Sequence, residues 1–335
     1  MFQPLGTPLF LAEARKQGRS YTTIKTFFIF LLLFLIGNTL QSVILSPLLY
    51  ALMLTDPAYY EILNGGYEST AEMLEKITLY AESLNARPIV TVVMLFATVG
   101  TVAACLVFCK CIEKRSFATM GLKKKGAVPA YLKGLGLGLL LFAIATGFSY
   151  FFGAIRFTGV NPSFNPLLCL LLFLGYLVQG FSEELLCRGM LMVSTAKRAP
   201  LWYGLVVSAF SFSILHAANN GFSFFPFLNI FLFGLLMGLY MIRGGSIWGA
   251  AALHSVWNFA EGVLTSFPVS GMTMPTHLLS FATEEGKELF HGGLFGPEGG
   301  LGVTFALAIA IALFAMAETK TAAPTPIFSE ETEQK

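Results

Sequence analysis

Apolar residues fall in long blocks along this chain, and the blocks have the length of a bilayer crossing. A hydrocarbon core of about 30 Å is spanned by roughly 20 helical residues at 1.5 Å each. About eight blocks approach that length: Thr26–Leu54, Pro88–Cys109, Tyr131–Phe152, Pro166–Lys197, Leu201–Ala217, Phe224–Ile242, Ser246–Thr265 and Gly300–Ala317. Pro47 is expected to bend the first of them. Lipid offers no water to backbone N–H and C=O groups, so helices are the default, and the period-two alternation of a membrane barrel is absent. The pattern predicts an all-α, polytopic integral membrane helical bundle.

The polar segments between blocks add detail. Ser69-x-x-Glu72 reads as a capping box that starts a helix outside the membrane. Thr7 and Pro8 are placed to cap and open a short interfacial helix carrying Leu9, Phe10 and Leu11. No basic stretch followed by a short apolar core precedes the first block, so a cleavable signal peptide is not expected.

Composition agrees with the blocks. Of 335 residues 55% are hydrophobic and 12% charged, with a mean hydropathy of +0.71. A net charge of +2 gives no support for nucleic-acid binding, and the partners expected are the lipid bilayer and a membrane-associated protein or peptide. Basic residues orient the bundle: Arg15, Lys16, Arg19 and Lys25 precede the first block, while Lys110, Lys114, Arg115 and Lys123 to Lys125 follow the second. Both groups are expected on the cytoplasmic side, with the acidic loop between them outside. Eight spans then return the C-terminus to the cytoplasm, giving a multi-pass protein of the cell membrane with both termini inside. The five cysteines lie in or beside blocks with no CxxC pair, which suggests free, buried thiols.

The chain divides by composition into an N-terminal segment (1–25), a first group of helices and loops (26–165), a polar-containing helical core (166–265), an outer loop with the last helix (266–317) and a polar tail (318–335) read as disordered. Small-residue pairs such as Gly134/Gly138 and Gly234/Gly238 mark faces where helices approach closely.

Ionisable residues inside the blocks cost several kcal/mol and concentrate between Glu183 and Glu261. Glu184 and Arg188, four apart, form an ion pair along one helix face, while Glu183 is rotated by about 100° and left to face a cavity. Glu183 lies about 21 Å from the Lys197 end of its helix, and His216 about 22 Å along the next, so a short connection brings them to one level. His254 and Asn258, again four apart, come from a third helix. Glu261, one heptad beyond His254, receives no role, and His277 and His291 are expected in a solvated outer loop.

These residues resemble a known family. "EELLCRG" (Glu183, Glu184, Arg188), "FSILH" (Phe212 to His216) and "HSVWN" (His254 to Asn258) match the EExxxR, FxxxH and HxxxN motifs of the CPBP intramembrane endopeptidases, also called the Abi family. That family includes CAAX prenyl endopeptidases and bacteriocin-processing or self-immunity proteins. The resemblance implies a catalytic carboxylate at Glu183 supported by Glu184 and Arg188, with Phe212 as a supporting residue. It also implies a water-activating role for His216 and an oxyanion site at His254 and Asn258. Peptide hydrolysis needs these parts: a base for water, a proton for the leaving amine, and donors aimed at the oxyanion. No cofactor is favoured. The alternative is one zinc ion held by Glu183, His216 and His254, although the pattern lacks the HExxH helix of zincins. Two rival classes, a proton-coupled transporter and a non-catalytic immunity or binding protein, would use the same polar cluster without hydrolysis.

Overall fold

The computed structural model describes residues 5–318; the remainder of the tail, for which disorder is expected, lies outside the described residues. The chain folds as a bundle of helices with one small sheet. In order the helices are α1 (Leu9–Lys16), α2 (Thr23–Leu54), α3 (Pro57–Asn64), α4 (Thr70–Asn85), α5 (Pro88–Ala97), α6 (Val99–Val107), α7 (Ala127–Phe151), α8 (Pro166–Glu184), α9 (Val193–Ala196), α10 (Leu201–Leu215), α11 (Phe224–Gly244), α12 (Trp248–Phe259), α13 (Glu288–His291) and α14 (Leu301–Met316). Among the described residues five helical stretches are long and apolar enough to cross a membrane: Thr23–Leu54, Pro88–Ile112, Ala127–Phe151, Pro166–Ala196 and Phe224–Gly244. Two further apolar helices, Leu201–Leu215 and Leu301–Met316, are shorter. The expected span Ser246–Thr265 is α12 with its continuation, and it is the inner post of the bundle: every residue from Gly249 to Phe259 is buried, against α7, α8 and α11.

Close approach explains that burial. A Cβ at Gly134 would lie 2.2 Å from the Gly249 carbonyl oxygen, and one at Gly138 would lie 2.4 Å from a Val256 methyl, so α7 packs backbone to backbone on α12. The contact brings a helix that carries polar residues into the centre of the bundle.

Three stretches depart from the uniform α-helices that the apolar blocks suggest. Phe108–Ile112, Leu185–Met192 and Ala260–Leu264 are π-helical, and each directly adjoins or contains an ionisable residue: Glu113, Glu184 with Arg188, and Glu261. Such turns mark functional or strained positions in helices.

Outside the bundle, α4 starts as expected, with the Ser69 hydroxyl accepting the Glu72 N–H at 3.2 Å and the Glu72 carboxylate accepting the Glu68 N–H at 3.0 Å. Other expectations are corrected. The α1 helix is preceded by Pro8 with no side-chain cap, so Thr7 does not cap it, and Phe10 and Leu11 are buried in the protein core, leaving only Leu9 of that trio exposed. Of the five free thiols, Cys105, Cys109 and Cys187 are buried, while Cys111 is exposed and Cys169 half-buried. An antiparallel strand pair, β1 (Ile155–Val160) with β2 (Leu279–Thr283), joins the segment after α7 to the segment after α12 with a bulge at Phe157/Gly159. The alternation expected of strands is too short here to stand out from the apolar background.

Candidate active site

The α8 helix ends on Glu184, so its last turn presents Gln179, Glu183 and Glu184 toward α12. The Glu184 carboxylate is fully buried and takes the Arg188 guanidinium at 3.0 Å, as the i,i+4 spacing predicts. Its same oxygen, Oε1, also lies 2.9 Å from His254 Nδ1. Glu183 reaches His254 from the other side, with Oε2 3.6 Å from Nε2. The two glutamates therefore point away from each other along α8 but converge on opposite nitrogens of one imidazole. An Nδ1–H donating to Glu184 leaves Nε2 toward Glu183.

Asn258 stands one turn beyond His254 on α12, and its amide donates to Gln179 Oε1 at 3.1 Å. The Gln179 amide in turn donates to Glu183 Oε1 at 2.6 Å. Gln179 is thus part of the constellation, and the sequence reading missed it. Its signal was present as another i,i+4 pair, Gln179 with Glu183.

His216 caps the C-terminus of α10. Its Nδ1 donates to the Phe212 carbonyl at 2.9 Å, which leaves Nε2 for the cavity. Phe212 organises several of these groups. The Arg188 guanidinium lies 4.5 Å from its ring centroid, and the rings of His216 and His254 meet it edge-on at 4.8 and 5.7 Å.

Glu183, His216, His254 and Asn258, with Gln179 and Phe212, line a cavity of about 250 Å³. A neighbouring cavity of about 260 Å³ shares Glu183 and His216 with it and extends to Phe34, Asn38 and Thr101 on α2 and α6. Glu184 and Arg188 line neither cavity, and they act from behind. Within this cluster Glu183 Oε2, Glu184 Oε2 and Arg188 Nε and Nη2 are buried without a hydrogen-bond partner among the described residues. Native interiors tolerate few such atoms, and they concentrate where chemistry occurs. Among the described residues no group of three or more His, Cys, Asp or Glu side chains is arranged to hold a metal ion.

Residues 165–260 match the family model of the Rce1-like type II CAAX prenyl endopeptidases. The resemblance drawn from the three motifs therefore holds for the segment from α8 through α12, which contributes every residue placed in the site above. An Rce1-like core supports a CAAX-type endopeptidase and a membrane setting with a membrane-associated protein substrate. No curated protein gives a significant match to the chain.

Beyond residues 165–260, the segment between α12 and α14 contributes residues that the motifs do not cover. Glu298 lines the cavity, and its Oε2 accepts the Ser270 hydroxyl at 2.5 Å. Burial pushes the Glu298 carboxyl above the usual carboxylate range, while the Ser270 hydroxyl and the charge of His216 and His254 draw it back. Glu261 is completely buried close to this loop, with neither oxygen hydrogen-bonded among the described residues. His291, expected in solvent, is buried, with Nε2 3.2 Å from the Glu284 carbonyl; His277 is half-buried and pairs with the Ser280 hydroxyl at 3.0 Å.

Proposed function

We propose that the protein is an intramembrane endopeptidase that hydrolyses a peptide bond of a membrane-associated or prenylated protein, with Glu183 activating the water. The supporting observation is the position of Glu183, which faces a cavity and is held on one oxygen by Gln179 at 2.6 Å and approached on the other by His254 at 3.6 Å. A carboxylate fixed on one side and unsatisfied on the other is prepared to accept a proton.

In this reading the Glu183 carboxylate takes a proton from water as the water oxygen attacks the scissile carbonyl carbon. The carbonyl electron pair moves onto oxygen. Asn258 has a second amide hydrogen beyond the one given to Gln179, and with a protonated His254 Nε2 it donates to that oxyanion. Collapse of the intermediate breaks the C–N bond, and the leaving amine takes a proton from Glu183, directly or through His216 Nε2. Glu184 and Arg188 do not touch the substrate; Glu184 fixes the His254 ring, and Arg188 neutralises Glu184. Residues 166–265 are the catalytic core, the reaction is metal-independent, and both termini lie on the cytoplasmic side of the cell membrane.

The test is direct. Purified full-length protein in lipid nanodiscs is incubated with a farnesylated CAAX peptide and with an unprenylated membrane-spanning peptide, and the products are read by mass spectrometry. Cleavage of either by the wild type and by neither Glu183→Gln nor His254→Ala is expected. Turnover by Glu183→Gln near the wild-type rate would refute the assignment.

A further inference from the structure

The hydrolysis described above makes no use of Glu298, yet the structure goes to some length to hold that carboxylate in the cavity wall. Its backbone carbonyl accepts the Asn229 amide of α11 at 2.8 Å, and the same amide reaches the Gly300 carbonyl at 3.0 Å; Thr304 in turn donates to the Asn229 oxygen at 2.6 Å. The turn before it needs Gly296, whose φ is 91° and where a Cβ would fall 2.1 Å from the Pro268 carbonyl oxygen. Ser270, which donates to the carboxylate, is itself a non-glycine residue at a φ of 47°, with its carbonyl held by the Asn219 side chain at 2.9 Å. Strain of this kind persists only where surrounding structure enforces it.

No lysine or arginine of the cavity lining pairs with Glu298; the basic groups that face it there are the imidazoles of His216 and His254. Its direct hydrogen-bond partner, the Ser270 hydroxyl, is neutral. The cavity is lined by two carboxylates, Glu183 and Glu298, and by no lysine or arginine; Arg188 is committed to Glu184 and Phe212 behind the wall. Around these acids lie Ile230, Phe233, Val269 and Met272, an apolar lining suited to the methylene stem of a long basic side chain. An ammonium or guanidinium group entering this space would meet a buried acid that no lysine or arginine of the lining pairs.

We propose that Glu298 is the specificity residue of the cavity, accepting the ammonium or guanidinium group of a basic side chain in the peptide substrate. The proposal rests on reading the cavity as a peptidase site. It names a substrate class: an apolar, membrane-associated segment bearing a lysine or arginine near the cleaved bond.

Three fluorescent peptides, identical except for Lys, Gln or Glu at one position within an apolar segment, test it in nanodiscs. Binding is measured first with the Glu183→Gln protein, so that no cleavage intervenes. The Lys peptide is expected to bind at least about tenfold more tightly than the Gln peptide, with the Glu peptide weakest. Adding Glu298→Gln should bring the Lys-to-Gln ratio close to one, and Glu298→Lys should invert the Lys and Glu peptides. Ser270→Ala, which keeps the carboxylate but frees it, provides a milder variant expected to lower the ratio part-way. A ratio that Glu298→Gln and Ser270→Ala both leave unchanged overturns the proposal. Cleavage of all three peptides at one rate by the Glu183-intact protein would do the same while leaving the peptidase reading standing. A Glu298-dependent binding ratio with no cleavage of any peptide would remove the peptidase reading and keep the specificity site.

Discussion

Two buried ionic clusters lie along the same helical stretch, Pro166–Ala196, and they are built on opposite principles. Near its C-terminal end Glu113, Arg115 and Lys197 form a closed network. Arg115 donates to Glu113 at 2.7 Å, to Thr119 at 2.8 Å and to the Gly189 carbonyl at 3.0 Å; Ser194 donates to Glu113 at 3.0 Å and Lys197 approaches it at 3.3 Å. None of the polar atoms in that trio is left without a partner among the described residues. Around Glu183, Glu184, Arg188 and His254 the opposite holds, with four buried atoms unpaired on the two acids and the arginine. Saturation fixes a fold, whereas unmet hydrogen-bonding capacity keeps a site ready for water and substrate. The difference separates a structural charge cluster from a reactive one even though both are buried and both hold an acid and an arginine.

Substitutions on the two sides should break in different ways. The largest effect is expected from Glu183→Gln, which should lower kcat by at least about 10³-fold while the thermal transition holds or rises, because a carboxylate with one unpaired buried oxygen becomes a neutral amide of the same shape. Arg115→Ala should do the reverse: it leaves the buried Glu113 carboxylate with Lys197 and Ser194 but without its guanidinium partner and should cost about 3 kcal/mol of stability, read by thermal or denaturant unfolding in detergent, with kcat per folded molecule nearly preserved. A stable Arg115→Ala protein would erase the contrast. Smaller again is Asn258→Ala, expected to reduce kcat by about 10²-fold with little change in KM, since an oxyanion donor acts in the transition state. The smallest effect is expected from a zinc chelator, which should leave turnover of the peptidase within about twofold; stoichiometric zinc in the purified protein whose removal abolishes cleavage would require a different mechanism.

The parts of this arrangement carried by helix periodicity were legible in the sequence. Glu184 with Arg188 and His254 with Asn258 are i,i+4 pairs, and the matched depths of Glu183 and His216 follow from a 1.5 Å rise and a short connection. What the pattern could not show was convergence. Helix geometry separates Glu183 from Glu184, but only the packing of α8 on α12 reveals that both reach His254. Glu298 was illegible for a different reason: it arrives on a glycine-rich loop with no period, in a turn fixed by tertiary clamps from Asn229 and Ser270. The burial of Phe10 and Leu11 on α1 was illegible because an apolar face looks the same whether lipid or protein covers it.

The π-helical stretch Leu185–Met192 sets the phase between the two clusters. Each of its i→i+5 bonds takes in one residue more than an α-turn, so upstream and downstream faces are offset from the pattern of an uninterrupted α-helix. Upstream, Glu184 is aimed at His254; downstream, Ser194 is aimed at Glu113. Deleting a single residue between Gly189 and Val193 would restore the shorter repeat and swing Ser194 by about 100° relative to Glu184. Either the catalytic acids or the structural salt bridges would then lose their aim, so the length of this segment is as constrained as its chemistry.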